Sequence, residues 1–239
     1  MYDCVLILGP CRSGTTFLFN ALASSHYIGI FQPLKHILRC EHMKIDPTLS
    51  LRDFAGKRLV LKEAFGPYLA SEATYDPVEL LANNLNLEKI LLITILRNPV
   101  DCFSSWLASF KVTPDEAAIR LSQAYENTVR VHTKYLQRMD SVSLILEDEA
   151  DCRNKINLIR KAMGSVPLPD QYGQYIKPND PPGFQVSGLL KKALSGQEYK
   201  AENIEKRKFF FDKNKLKIAA SHYENLHNLK PRLSGNFSV

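Results

Sequence analysis

An apolar run, Val5-Leu6-Ile7-Leu8, leads directly into Gly9-Pro10-Cys11-Arg12-Ser13-Gly14-Thr15-Thr16. That loop leads into a run of helical period, Phe17-Leu18-Phe19-Asn20-Ala21-Leu22. Strand, glycine loop and helix in this succession bring backbone N–H groups and a helix N-terminus to one point, where they cradle an anionic phosphate. The spacing nearly matches the phosphate loop G-x-x-x-x-G-K-[ST]. Gly9, Gly14 and Thr16 fit, but Thr15 stands at the lysine position. A kinase or ATPase uses that lysine on the β/γ-phosphates, so its loss argues against ordinary nucleoside-triphosphate chemistry. The cation sits inside the loop instead, at Arg12. A cradle of this kind calls for a different nucleotide.

The rest of the chain alternates between β-rich apolar runs and runs of helical period. Strands are expected at Cys4–Leu8, Tyr27–Phe31, Arg58–Lys62, Lys89–Leu96 and Val142–Leu146. Helices are expected at Thr15–Ser24, Pro77–Asn84, Pro99–Phe110, Pro114–Arg138 and Glu149–Met163. Such alternation predicts an α/β fold, a central parallel sheet with helices on both faces. Ligands then bind at the carboxyl ends of the strands, which puts the Gly9 loop, Lys62 and Arg97 on one edge. With 239 residues and 45% hydrophobic content, the chain is expected to form one domain, 1–239, with a full core. Pro and Gly punctuate 164–200, a loop-rich segment that is either a lid or a surface wrapping. The part from 201 to 239 is expected to be helical. Its basic cluster, Lys206-Arg207-Lys208 with Lys213, Lys215 and Lys217, is either a solvated face or a clamp on phosphates.

A net charge of +6 favours anionic ligands without choosing among them. The five cysteines are widely spaced and form no C-x-x-C pair, so neither zinc nor a disulfide framework is expected, and a reducing, cytoplasmic compartment fits. Cys11 reads as a small filler, with a stabilised thiolate as the alternative. The first strand starts close to Met1, leaving no expected signal peptide. No apolar run approaches the ~20 residues of a membrane span.

A second anion site is suggested at Arg97-Asn98-Pro99-Val100-Asp101. Asn98 suits an N-cap, Pro99 the first helical position and Asp101 the first turn. Ser105 follows two turns along, and Arg97 and Ser105 together can grip a phosphate; a capped helix with a surface arginine is the plain alternative. With the Gly9–Thr16 loop, this stretch resembles the two cofactor motifs of the PAPS-dependent sulfotransferases, over roughly residues 4–163. The resemblance implies a three-layer, P-loop NTPase-like fold. It implies that Arg12, Ser13, Gly14, Thr15 and Thr16 hold the 5′-phosphosulfate of 3′-phosphoadenosine-5′-phosphosulfate (PAPS). It further implies that Arg97 and Ser105 hold the 3′-phosphate, that Phe17 lies against the adenine and that no metal takes part. Val142–Leu146 followed by Glu147-Asp148 looks like a later strand and turn of the same family.

The chain also departs from the family. The C-terminal glycine-lysine motif is not recognisable. Lys62 is followed by Glu63 and Ala64 where a Lys-x-His arrangement stands in other members, and Gln32-Pro33 occupies the place of a catalytic glutamate. Sulfuryl transfer needs in-line orientation, leaving-group stabilisation and a base. Arg12 and Lys62 are candidates for the leaving side, and Glu63, His36 and Glu41 for the base. Glu63 has a salt bridge as its alternative role, and His36 has packing. A nucleotide kinase with a degenerate loop would need a Walker lysine and a magnesium-binding aspartate closing a strand, and neither is evident. A non-catalytic nucleotide- or RNA-binding module would interleave aromatics with basic residues, as only Arg207-Lys208-Phe209-Phe210-Phe211 does. The expected partner is a small-molecule or sugar acceptor, with neither nucleic acid nor membrane. Its identity is expected to be set by loops at Gln32–Asp46, Phe65–Tyr75 and 164–200.

Overall fold

The computed structural model describes residues 2–22, 26–54, 56–82, 89–164, 175–179, 181, 184, 213–228 and 232. Its strands are β1 (Cys4–Leu8), β2 (Ile28–Phe31), β3 (Leu59–Lys62), β4 (Ile90–Leu96), β5 (Asp140–Ile145) and β6 (Tyr175–Ile176). They form one sheet in the order β5-β4-β1-β3-β2-β6, parallel at every pairing. The helices are α1 (Thr15–Leu22), α2 (Pro33–Met43), α3 (Ala70–Thr74), α4 (Pro77–Ala82), α5 (Pro99–Ser109), α6 (Pro114–Tyr135), α7 (Glu149–Ala162) and α8 (Lys217–His227).

Every residue of β1 and β4 is buried, which explains why these runs, Thr94 excepted, are apolar rather than alternating. The two-residue period divides each strand between two cores. Val5 and Ile7 face α1 and α7, meeting Leu18, Phe19 and Ile159. Leu6 and Leu8 face the opposite layer, meeting Leu34 of α2, Leu81 of α4 and Val131 of α6. The molecule is therefore a three-layer α/β sandwich. The chain leaves β1 for β2 on one flank and later crosses to β4 on the other. That reversal makes the carboxyl ends of β1 and β4 the topological switch point, where sheets of this kind bind their ligands.

Local capping chemistry sets several helix starts. The Asn98 side chain accepts from Val100 N–H, Thr113 and Glu116 form a reciprocal capping box, and Asp148 accepts from Asp151 N–H. Tertiary contacts decide other boundaries. β5 begins earlier than expected, at Asp140, because pairing with β4 starts at Leu91 and the Tyr2 hydroxyl donates to the buried Asp140 carboxylate at 2.5 Å. The stretch Gln32–Asp46, expected as a loop, contains α2, and Phe65–Tyr75 contains α3. α2 has no side-chain cap of its own at Gln32, which sits in the left-handed region.

Residues 165–174, 185–200 and the cluster Lys206-Arg207-Lys208 lie outside the described residues, and with them the lid and clamp readings. The described part of 164–200 adds β6 to the sheet beside β2. α8 packs with α5 and α6 around a third core that includes Trp106, Leu121, Tyr125, Leu216 and Leu226. Among the described residues, no helix is long and apolar enough to cross a membrane.

Candidate active site

The β1–α1 loop is held from both sides. Cys11 N–H donates to Phe65 O at 2.9 Å, and Phe65 N–H donates to Gly9 O at 2.9 Å. From α5, Trp106 Nε1 donates to Cys11 O at 2.5 Å. The Cys11 thiol is buried and donates to Gly66 O at 3.0 Å, which supports the packing role. Gly9 has no room for a side chain: a Cβ there would lie 2.3 Å from Ile95 O and 2.7 Å from Ser13 Oγ. Arg12 and Gly14 both adopt positive φ, 72° and 101°, so the loop carries strain at a residue other than glycine. Ser13 is fully buried, and its hydroxyl has no hydrogen-bond partner among the described residues. An orphaned hydroxyl inside a loop at a helix N-terminus is what an anion-binding cradle leaves before its ligand binds. Thr15 is buried, Thr16 half-buried and Phe17 exposed on α1.

Lys62 and Glu63 follow one another at the end of β3 and serve opposite faces. Lys62 lies on the α1 face with Val60, and its Nζ rests 4.1 Å from the ring centre of its cross-strand neighbour Phe31. Burial pushes its ammonium down to about 7; Cys11 and Glu63 oppose the shift, while Lys35 and Arg12 add to it. Glu63 is fully buried and caps α2 from across the fold. Its carboxylate accepts from Leu34 N–H at 2.7 Å, Lys35 N–H at 3.3 Å and the Tyr75 hydroxyl at 2.7 Å. Burial pushes this carboxyl up, against the pull of the Tyr75 and Leu34 hydrogen bonds. His36, one turn into α2, is buried against Thr48 and Cys40, accepting from Thr48 N–H at 3.3 Å. Glu41 is exposed near the far end of α2.

The second loop leaves β4 at Arg97, whose side chain is 27% exposed, 3.9 Å from Asp101 and 4.0 Å from Glu147. Glu147 also accepts from Asn98 N–H at 2.7 Å and from the Tyr223 hydroxyl of α8 at 3.2 Å. Ser105, expected beside Arg97, accepts from Arg12 Nε at 2.8 Å. The two loops are thus joined through Arg12, and both stand on one sheet edge with Lys62. Among the described residues, no group of three or more His, Cys, Asp and Glu could hold a metal ion.

The sequence matches the family model of the sulfotransferase domain over residues 2–158, well over half of the chain. The chain belongs to the sulfotransferase family. Its α/β sandwich is the P-loop-like fold of that family, and the domain it carries performs sulfuryl transfer. A search of curated proteins finds no match. The matched region contains β1 to β5, both loops and Lys62, and stops short of α8.

Several residues that build the candidate site carry no signal in the sequence. Phe31 and Tyr75 look like ordinary core aromatics. Lys35 looks like a surface residue of an amphipathic helix, yet it is fully buried, bonded to Gly66 O and 3.8 Å from Glu72. Trp106, the single tryptophan, was legible only as an apolar helix position.

Proposed function

We propose that this protein transfers a sulfuryl group from PAPS to a hydroxyl of a small-molecule or carbohydrate acceptor. One observation carries the reading: two separate cation-bearing loops, at Arg12 and Arg97, share one sheet edge. PAPS is a polyanion with phosphate at both ends, and two anion sites are what it requires. Ser13, Gly14, Thr15 and Thr16 hold the 5′ end through loop N–H groups and hydroxyls, with the buried Ser13 hydroxyl available to turn toward the ligand. Arg97 binds the 3′-phosphate, Ser105 supports it through Arg12, and Phe17 offers its exposed ring to the adenine. When bound, PAPS supplies a sulfuryl group activated by a phosphate leaving group. Arg12 adds fixed positive charge where the leaving oxygen gains negative charge, and this reading requires no metal. We infer also that 1–239 is one domain, since α8 completes the third core. The five free, buried cysteines support a reducing compartment, the cytoplasm.

Adenosine 3′,5′-bisphosphate without metal should raise the melting temperature, because a ligand that binds only the folded state stabilises it. ATP with Mg²⁺ should do much less, and an equal or larger shift from it favours the nucleotide kinase. Arg97→Ala should weaken adenosine 3′,5′-bisphosphate by about 2–4 kcal/mol in calorimetric titration. It should leave 5′-AMP nearly unchanged; equal losses would make Arg97 structural. Labelled PAPS offered to a panel of alcohols, phenols and sugars identifies the acceptor.

A further inference from the structure

Sulfuryl transfer to a hydroxyl requires a proton acceptor on the ligand edge. Two of the carboxyl and imidazole candidates on this edge are already engaged. Glu63 is fully buried with its carboxylate shared among Leu34 N–H, Lys35 N–H and the Tyr75 hydroxyl. His36 is buried against Thr48 and Cys40. Lys62 differs from both. It retains only 4% exposure, yet among the described residues no hydrogen bond or ion pair meets its Nζ. Its ammonium rests on the face of Phe31, 4.1 Å from the ring centre. The period of β3 turns it toward α1, the helix that the phosphate loop opens, and away from the Glu63 side.

We propose that the Lys62 amine takes the proton of the acceptor hydroxyl. The inference rests on the sulfotransferase reading above. In the step, the acceptor oxygen forms its bond to sulfur and gives its proton to Lys62 Nζ. The bond from sulfur to the 5′-phosphate oxygen breaks, and its electron pair stays on that phosphate. The ammonium so formed adds positive charge to the edge as negative charge grows on the leaving group, so one residue serves both needs. An amine can act this way only if it is uncharged before the step. Burial, Lys35, Arg12 and the positive end of α1 all favour the neutral form, while Glu63, Cys11 and the phosphates of a bound nucleotide favour the charged one. The result is an amine poised near neutral pH, where a general base works best.

Two measurements test this. The first needs no turnover: the protein is labelled with lysine carrying ¹³C at Cε, and the Lys62 signal, assigned by its loss in Lys62→Met, is titrated by NMR. A midpoint of about 7–8 is expected. A midpoint above about 9, close to ordinary lysine, overturns the proposal whatever the protein's activity. The second uses Lys62→Arg, which keeps a positive charge and cannot accept a proton. With an alcohol acceptor from the panel, kcat should fall ~10²–10⁴-fold. An acidic phenol already ionised at neutral pH should lose far less, and adenosine 3′,5′-bisphosphate should bind within about threefold of the parent. An unchanged rate on the alcohol, or equal losses on both acceptors, overturns the base assignment while leaving the sulfotransferase reading intact. Failure of the parent protein to bind the bisphosphate or to transfer label to any acceptor overturns that reading and the proposal with it.

Discussion

Glu63 shows how much a single carboxylate can organise. It receives two N–H groups from the first turn of α2 and a hydroxyl from Tyr75, so it binds the end of β3 to two other segments. Glu63→Gln preserves the shape but replaces one accepting oxygen with an N–H₂ that cannot serve the same donors. We expect a loss of about 1–3 kcal/mol in denaturant unfolding, the usual penalty for an unsatisfied buried donor. Turnover should fall less than tenfold, with the pH profile unmoved. A loss near 10³-fold with the alkaline limb of the profile altered would make Glu63 the base. Arg12 and Gly9 carry the other residue-scale lesson. Both are visible in the sequence as parts of a phosphate loop, and both prove constrained, one by a left-handed backbone and one by the approach of Ile95 O.

At the scale of elements, β4 and α6 share a buried polar contact. The Thr94 hydroxyl lies 3.0 Å from His132 Nδ1 behind the sheet. Burial pushes the His132 imidazole down to about 4. The folded protein therefore holds it neutral, while the unfolded chain takes up its proton near pH 6.5. Stability from this residue is complete above about pH 6.5 and is lost as the pH falls toward 4, by about 3 kcal/mol in total. Urea unfolding at pH 7 and pH 4.5 should show that decline, and His132→Gln should flatten much of it. If His132→Gln leaves the acid slope unchanged, other groups set it. The helices also separate what is local from what is not. α5, α6 and α7 start at Asn98, Thr113 and Asp148, whose own side chains cap them, and the sequence places all three starts correctly. α2 is capped by Glu63, so its start escapes a reading that looks only a few residues ahead.

For the whole molecule, α8 lies beyond the residues that the family model matches. With Leu216 just before it, α8 buries Ala219 and Leu226 in the core shared with α5 and α6, and Tyr223 reaches Glu147 beside Arg97. Leu226→Ala should cost about 2–5 kcal/mol, as for other buried leucines. In a chain of this size that lowers the melting temperature by roughly 5–15 °C in calorimetry. A change below about 2 °C would mean that α8 is peripheral to the fold. The sequence by itself determined the parallel α/β sheet, the β1–α1 glycine loop and the Arg97 loop. These depend on hydrophobic period, glycine placement and capping residues, which act over a few positions. Tertiary structure alone decided that Ser105 joins Arg12, that Glu63 caps α2, and that Lys62 rests on Phe31 with no hydrogen bond or ion pair among the described residues. Each of these depends on which side chains separate strands bring into contact, and on how water is excluded around them, and neither is written in the spacing of residues along the chain.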